Sequence, residues 1–507
     1  MTAAAPPATR DRSPGLIVAV LAFCGIVVSL MQTLVVPLLT DLPNLLHTSA
    51  SNAGWVITAT LLSGAVFTPV MGRLGDMYGK RRILALCLAL LTLGSVICGL
   101  SDSLFPMVIG RILQGGSFGV IALGMSLMRD ELPPARLGPS VALMSATLGI
   151  GGAVGLPVAA LVAQNADWHM LFWGAAALGA LDIVLVLMFV PESPVRTPAR
   201  FDFLGTLGLS AGLVAFLLAV SKGADWGWGS PTTLGMFAAA LVILPLWGLG
   251  ELRTREPLVD LRISARPQVL FTNLASVVIG FAMYAQSLVF PQVLMLPEVS
   301  GYGLGKSMVV TGLVMAPAGL VMMVVSPLSA KLSAAKGPKV SLFVGAVVTA
   351  AGYLISLVML DAVWKIVIAT SVSAAGCALA YSAMPALIMQ AVPMRQTGSA
   401  TGLNTLMRSI GTSSAAAVIS MILANMTSDL GGRSIPSLGG FKTALWVGFA
   451  AAAAAALVSL LIPARKPAGE ADTAMASGTP VAPAAEAPAG TPAGTTAATA
   501  AGTAAAN

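Results

Sequence analysis

Fourteen apolar segments of about 18 to 25 residues constrain this chain more than any motif in it. They run roughly over 16–38, 51–71, 83–101, 105–127, 139–163, 168–190, 203–221, 231–250, 269–293, 307–329, 340–359, 363–389, 401–424 and 441–463. A helix of that length crosses about 30 Å of hydrocarbon. Of the 507 residues, 57% are hydrophobic and 9% charged, whereas a water-soluble domain carries about a quarter of its residues charged. Backbone groups in lipid must be satisfied within the segment, so each run is expected to be a helix. The alternating pattern of a membrane β-barrel, ~10 residues per segment, is missing. The expected fold class is all-α: a polytopic membrane protein with 14 transmembrane helices. The first segment reads as a span, not a cleaved leader, because it is too long and no small-residue cleavage site follows.

The charges sit in the short breaks between these runs. With the N-terminus placed in the cytoplasm, twenty of the 27 Lys and Arg fall on the cytoplasmic side. Five (Lys222, Lys306, Lys365, Arg433 and Lys442) fall outside, and Arg111 and Arg408 lie within spans. Such an asymmetry obeys the positive-inside rule. It explains the net charge of +7 without a nucleic-acid partner. The expected location is a bacterial plasma membrane, with both termini cytoplasmic. The tail from Pro467 to Asn507 is mostly Ala, Pro, Gly and Thr with almost no large apolar residues; it cannot bury a core and is expected to be disordered.

Little in the chain points to catalysis. The two histidines, His47 and His169, fall in short loops, and the four cysteines (Cys24, Cys87, Cys98, Cys377) lie in apolar stretches without ligand spacing. No metal, no cofactor and no enzymatic activity are expected. The stretch SGYGLGKS (300–307) imitates a phosphate-binding loop, but Ser300 stands where that pattern needs Gly. It also falls on the outer side. ATP is therefore not an expected partner, and an ion gradient is the expected energy source. A membrane receptor or membrane-embedded enzyme is disfavoured by the scarcity of His and the lack of a soluble signalling or catalytic domain.

One break is unusually rich. MGRLGDMYGKRR (71–82) packs Arg73, Asp76, Lys80, Arg81 and Arg82 with Gly72, Gly75 and Gly79 between spans 2 and 3. The glycines permit close helix approach and a tight turn. Asp76 can sit at a helix N-terminus or pair with an arginine of a neighbouring segment; either contact would be a latch that holds one conformation. Lys80, Arg81 and Arg82 alone would read as a solvated basic loop. A weaker copy, AKLSAAKGPK (330–339), joins spans 10 and 11. It sets Lys331 against Arg73, Gly337 against Gly79 and Lys339 against Arg81, but Ala334 against Asp76. An offset of eight spans makes spans 1–6 correspond to 9–14, with spans 7 and 8 inserted. The expected division is 1–15, 16–190, 191–268, 269–463 and 464–507.

GRLGDMYGKRR resembles the loop 2–3 signature of the major facilitator superfamily, and GRILQGG (110–116) resembles that superfamily's Arg-x-x-Gln-Gly pattern in helix 4. With fourteen spans the chain is similar to the drug:proton antiporter-2 branch. The resemblance implies a 6+2+6 bundle around a central cavity. It implies export of amphipathic or cationic organic compounds, such as drugs and antibiotics, in exchange for protons by alternating access. Its implied partners are a small hydrophobic or cationic substrate, protons and membrane lipids. It gives Asp76 a place in a charge relay that favours the outward-open state. Two stretches depart from the branch. The acid, Asn and Pro usual in helix 1 are Met31, Val36 and Thr40 in MQTLVVPLLT (31–40). The helix 5 antiporter motif is altered in GGAVGLPVAA (151–160), which keeps Gly151, Gly155 and Pro157 as small-residue helix-packing positions. The missing acid favours the alternative of an importer or facilitator without proton coupling.

Polar groups inside spans carry a cost and need a reason. Arg111 and Gln114 share a face of helix 4; Arg111 stays charged and can serve a carboxylate, bond backbone carbonyls or snorkel outward. Asn404, Arg408 and Thr412 form a stripe on helix 13, with Arg408 directed either inward or toward the cytoplasm. Asp182, mid-span in helix 6 with no obvious local partner, reads either as a proton carrier or as a helix-packing residue. Glu298 is expected at the outer mouth, and Asp130 and Glu131 in an interfacial cluster beside Arg129. Met125, Met144, Met295, Met322, Met323, Met384 and Met389 are candidates for a permissive cavity lining.

Overall fold

The computed structural model describes residues 13–35, 38, 41–198, 200–430 and 433–463. Val36, Thr40 and the tail expected to be disordered lie outside the described residues. The lipid requirement is met, among the described residues, by fourteen helices long and apolar enough to cross a membrane. They are α1 (Pro14–Thr33), α2 (Trp55–Tyr78), α3 (Lys80–Gly99), α4 (Leu104–Glu131), α5 (Pro134–Asn165), α6 (His169–Phe189), α7 (Phe203–Trp226), α8 (Pro231–Arg253), α9 (Pro267–Met295), α10 (Met308–Lys336), α11 (Pro338–Val358), α12 (Val363–Ala391), α13 (Thr397–Asn425) and α14 (Leu438–Leu460). A hairpin of β1 (Thr427–Leu430) and β2 (Arg433–Pro436) joins the last two helices.

The break at 71–82 is shorter than the sequence suggests. Residues 71–78 continue α2 and Lys80 already starts α3, so Gly79 alone is non-helical. Its φ of 114° lies where only glycine is comfortable. The weaker copy turns the same way: α10 runs to Lys336, Gly337 has φ 87° and α11 starts at Pro338.

Alternate crossing brings the junctions after α2, α4, α6, α8, α10 and α12 to one face. Contacts there bear this out: Arg266 Nη1 donates to the Ala391 carbonyl at 3.1 Å, and the Thr197 N–H to the Asp76 carbonyl at 2.8 Å. Because these junctions hold most of the Lys and Arg, we refer to this as the basic face. At the opposite face, Tyr302 Oη donates to the Pro436 carbonyl and Lys222 lies 5.3 Å from the Trp55 ring.

Helix packing repeats with the same offset of eight. The pairs α1–α5, α2–α4, α3–α4 and α3–α6 recur as α9–α13, α10–α12, α11–α12 and α11–α14. Two long seams, α2–α13 and α5–α10, join the halves, and the offset exchanges one for the other. The remaining pair, α7 and α8, pack on each other. Leu209, Leu213 and Leu217 of α7 share a buried cluster with Ala65 and Val70 of α2 and with Leu403 and Leu406 of α13.

Candidate functional site

The first four N–H groups of any helix lack an intrahelical acceptor. The N-cap of α13, Gln396, supplies no side-chain acceptor. Asp76, 1% exposed near the end of α2, supplies it from the other half: its Oδ1 accepts from Gly398 N at 3.1 Å and its Oδ2 from Ser399 N at 2.8 Å. These are the amides that a helix's own Asp or Ser N-cap would take, and the positive end of the α13 dipole favours the carboxylate. Of the two contacts open to Asp76 in the sequence, helix N-terminus or arginine, the fold uses the first.

Close approach makes this possible. A Cβ on Gly72 would lie 2.5 Å from the Gly398 carbonyl oxygen, and one on Gly398 would lie 2.7 Å from Asp76 Oδ1. Gly75 gives room instead to the Leu123 side chain of α4.

Neighbouring charges reinforce the same junction. Lys80 is fully buried, not part of a solvated loop; it pairs with Asp130 at the end of α4 and has its Nζ 3.9 Å from Asp76. Ser193 also donates to Asp130, at 2.5 Å. Arg129 reaches into the other half, donating to Thr397 Oγ1 at 2.6 Å and to the Val392 carbonyl at 3.1 Å. It therefore joins the end of α12 to the start of α13, a role hidden in the sequence because both partners lie more than 260 residues away. Arg73 and Arg81 make no such bridge. Arg73 is buried at 7% exposure and donates to no acceptor among the described residues. Arg81 donates to the Leu187 carbonyl within its own half. Glu192 accepts from the Arg81 N–H at 3.2 Å, capping α3 beside Gly79.

The second seam is built from small residues and hydroxyls. Ser326 Oγ of α10 donates to the Ala142 carbonyl at 2.6 Å, and Ser145 Oγ of α5 to the Tyr381 carbonyl of α12 at 3.1 Å. Pro157 lies against Gly312, where a Cβ would be 3.2 Å from the Pro157 nitrogen. Gly151 and Gly155 face the other way, into α1, where Ser29 and Thr33 fill the space a side chain would need. Among the described residues, the side-chain hydrogen bonds between halves all fall in the half of the helices nearest the basic face.

The interior groups are distributed between the halves. Arg111 is 2% exposed and does not snorkel: its Nε donates to the Val56 carbonyl at 3.0 Å and its Nη1 to Gln114 Oε1 at 2.7 Å. Gln114 passes the chain on to Ser95 Oγ at 2.9 Å, so the pair ties α4 to α2 and α3. Asp182 is fully buried in α6, and neither of its carboxyl oxygens has a hydrogen-bond partner among the described residues. In the other half, Asn404 Nδ2 donates to Asn273 Oδ1 at 2.9 Å and Ser276 Oγ at 2.7 Å. Arg408 points inward, its guanidinium 5.0 Å from the centre of the Tyr381 ring. Thr412 bonds only within its helix, to the Ser409 carbonyl. Asn273, Ser276 and Tyr381 were not singled out in the sequence, since lone polar residues in a span carry no period. Of the seven methionines, Met295 and Met323 are 39% and 48% exposed and line no interior.

The 300–307 loop is no phosphate cradle. The amides of Leu304, Gly305 and Lys306 donate to the Val293, Leu296 and Leu294 carbonyls, which docks the loop on the end of α9.

A sequence profile described as Major Facilitator Superfamily matches residues 21–416. The chain is similar to "Multidrug resistance protein Stp" of Mycobacterium tuberculosis (strain CDC 1551 / Oshkosh), at 29% identity over 373 residues, 73% of this chain and 68% of that protein. It is 28% identical over 398 residues to the "Tetracenomycin C resistance and export protein" of Streptomyces glaucescens, covering 76% of this chain and 71% of the relative. The crystal structure of the human organic anion transporter MFSD10 (TETRAN) matches with a TM-score of 0.61 over 90% of this chain and 100% of that one. At 16% identity that likeness carries the fold alone. The profile match, fourteen membrane helices and twofold-repeated packing agree: this polytopic membrane protein belongs to the major facilitator superfamily and is a transporter, not an enzyme.

Proposed function

We propose that the protein exports amphipathic organic compounds across a bacterial plasma membrane in exchange for protons, by alternating access, with its basic face toward the cytoplasm. The observation that carries this reading is the cap placed by Asp76 on α13. It joins the halves at one face through charge-assisted bonds that must break for that face to open. In this reading the structure corresponds to the state closed toward the cytoplasm. Asp76, Gly72 and Arg129 form the latch, with Lys80 and Asp130 holding it in place; Gly75, Gly79 and Arg81 shape the turn behind it. The 6+2+6 division, with the halves at 16–190 and 269–463, fits the packing that repeats eight spans apart. Two relatives whose names state drug resistance or export support an outward direction.

Asp182 is the proposed proton carrier. It is a fully buried carboxyl on a helix packed against α1, with no hydrogen-bond partner among the described residues, and a carboxyl inside hydrocarbon needs either a proton or a partner. Arg111 and Gln114 hold the helices around that half and, being permanently charged or uncharged, carry no proton themselves. A second reading, a facilitator without proton coupling, is favoured by one observation: α1 contains no acid.

The test is purified protein in liposomes with an imposed pH gradient and rhodamine 6G inside. Export should follow the gradient and collapse on addition of an uncoupler. Asp182→Asn should abolish the dependence on pH. Dye movement indifferent to the gradient would replace this reading with the facilitator.

A further inference from the structure

The second half keeps its charges out of the membrane interior with one exception. Helices α9 to α14 contain no Asp or Glu; the half's carboxylates, Glu298, Asp361 and Asp429, all lie in connections at the face opposite the basic one. Its Lys residues fall in the first or last two turns of their helices or, for Lys306, in the connection before α10. Arg408 is different. It stands about 16 Å along α13 from the basic face, and Tyr381 stands about 15 Å along α12 from the same face, at 1.5 Å per residue. Both are therefore near mid-membrane. The Arg408 side chain is half-buried, and its guanidinium donates to no hydrogen-bond acceptor among the described residues. The Tyr381 ring, 5.0 Å away, is the aromatic face it lies over. A ring quadrupole offsets only part of the cost of a cation at this depth.

Arg408's neighbours Tyr381, Asn404 and Asn273 are all more than nine-tenths buried. One turn nearer the basic face, Asn404 is fixed by Asn273 and Ser276. That leaves the Asn273 Nδ2 group with no acceptor among the described residues. The Tyr381 carbonyl is held by Ser145 of the first half, which places the residue at the boundary between halves. A cation with unused donors, an aromatic face and a neighbouring amide donor match a carboxylate, sulfonate or phenolate attached to an aromatic body. A cationic head would meet like charge here without a carboxylate to offset it.

We propose that Arg408, with Tyr381 and with Asn273 held in place by Asn404, binds the anionic head of an amphipathic aromatic acid, so that weak organic acids are the preferred cargo. This rests on the transport reading above and narrows it.

Fluorescein and rhodamine 6G share a xanthene ring system and carry opposite charge, so they separate charge from shape. Equilibrium binding of each to the full-length protein in lipid nanodiscs tests the site. Wild type should bind fluorescein more tightly than rhodamine 6G. Arg408→Gln should weaken fluorescein binding tenfold or more without weakening rhodamine 6G, and Arg408→Lys, which keeps the charge but loses the planar fork, should weaken it less than Arg408→Gln does. Wild type binding rhodamine 6G as tightly as fluorescein would overturn the proposal without any variant. So would unchanged fluorescein binding in Arg408→Gln. Gradient-driven movement of rhodamine 6G together with failure to bind fluorescein would overturn the anion site and leave export standing. Charge-dependent fluorescein binding without gradient-driven movement of either dye would keep the site and overturn export.

Discussion

The α2–α13 and α5–α10 seams are images of one another under the eight-span offset, yet they close by different chemistry. In the first, a buried carboxylate caps the opposing helix and Arg129 bonds across the same junction. Helix α7 packs over the outside of this seam. In the second, hydroxyls and glycines let backbones touch from Pro157 down to Ala142, and the basic end is exposed. There Ala334, the counterpart of Asp76, faces outward, as do Lys331 and Lys336. One repeated scaffold thus carries two kinds of contact between its halves. Charge-assisted bonds at a helix terminus are strong when made and can be exchanged for water when broken. Small-residue packing has no such alternative partner and serves better as a continuous bearing.

Replacing Asp76 by Asn is expected to have the largest effect. Bonds to a charged acceptor are worth about 1.5–3 kcal/mol, so the closed form should lose roughly tenfold to a hundredfold of its advantage. Hydrogen exchange of the Gly398 and Ser399 amides should accelerate accordingly, with dye export falling in step. Exchange at the wild-type rate would show that the two seams do not differ in the way described.

A Gly319→Val substitution probes the other seam. Its Cβ would collide with Gly149 and Ala153 of α5, and overpacking of this kind costs about 1–3 kcal/mol. Thermal melting should fall, while Gly152→Ala, with open space around it, should melt no lower than wild type. If both variants melt alike, backbone contact is not what closes α5–α10.

Arg129→Gln removes donors to Thr397 and Val392. About 1 kcal/mol of the first seam should go with them, read as faster exchange at the start of α13 but less than in Asp76→Asn. An equal or larger effect would move the main latch from Asp76 to Arg129. Smallest of all should be Ala334→Asp, which adds the missing acid at an exposed position. Stability should change by less than about 0.5 kcal/mol and transport by less than about twofold. A large effect would mean that the second seam closes at its basic end during transport and would break the asymmetry.

Much of this architecture could be read from residues alone, and the reasons are specific. Gly79 and Gly337 announced the same turn twice because no other residue adopts that backbone comfortably. The fourteen spans showed as runs because hydrocarbon tolerates little else. Lys80 looks solvated in the sequence, which does not reveal that Asp130, fifty residues on, comes to rest beside it. Arg81 shared a motif with Asp76 yet starts the next helix beyond the Gly79 break, so its side chain reaches the Leu187 carbonyl instead of the α13 terminus.

The sequence by itself determined the membrane, the helices, the repeat and the residue types able to act, since lipid insertion and backbone geometry are local requirements answered one segment at a time. The tertiary structure alone decided which amides Asp76 caps, which carbonyl Arg129 reaches and what Arg408 lies over. Those contacts join groups separated by 27 to 323 residues, and only the packing of whole helices brings such distant charges within bonding distance.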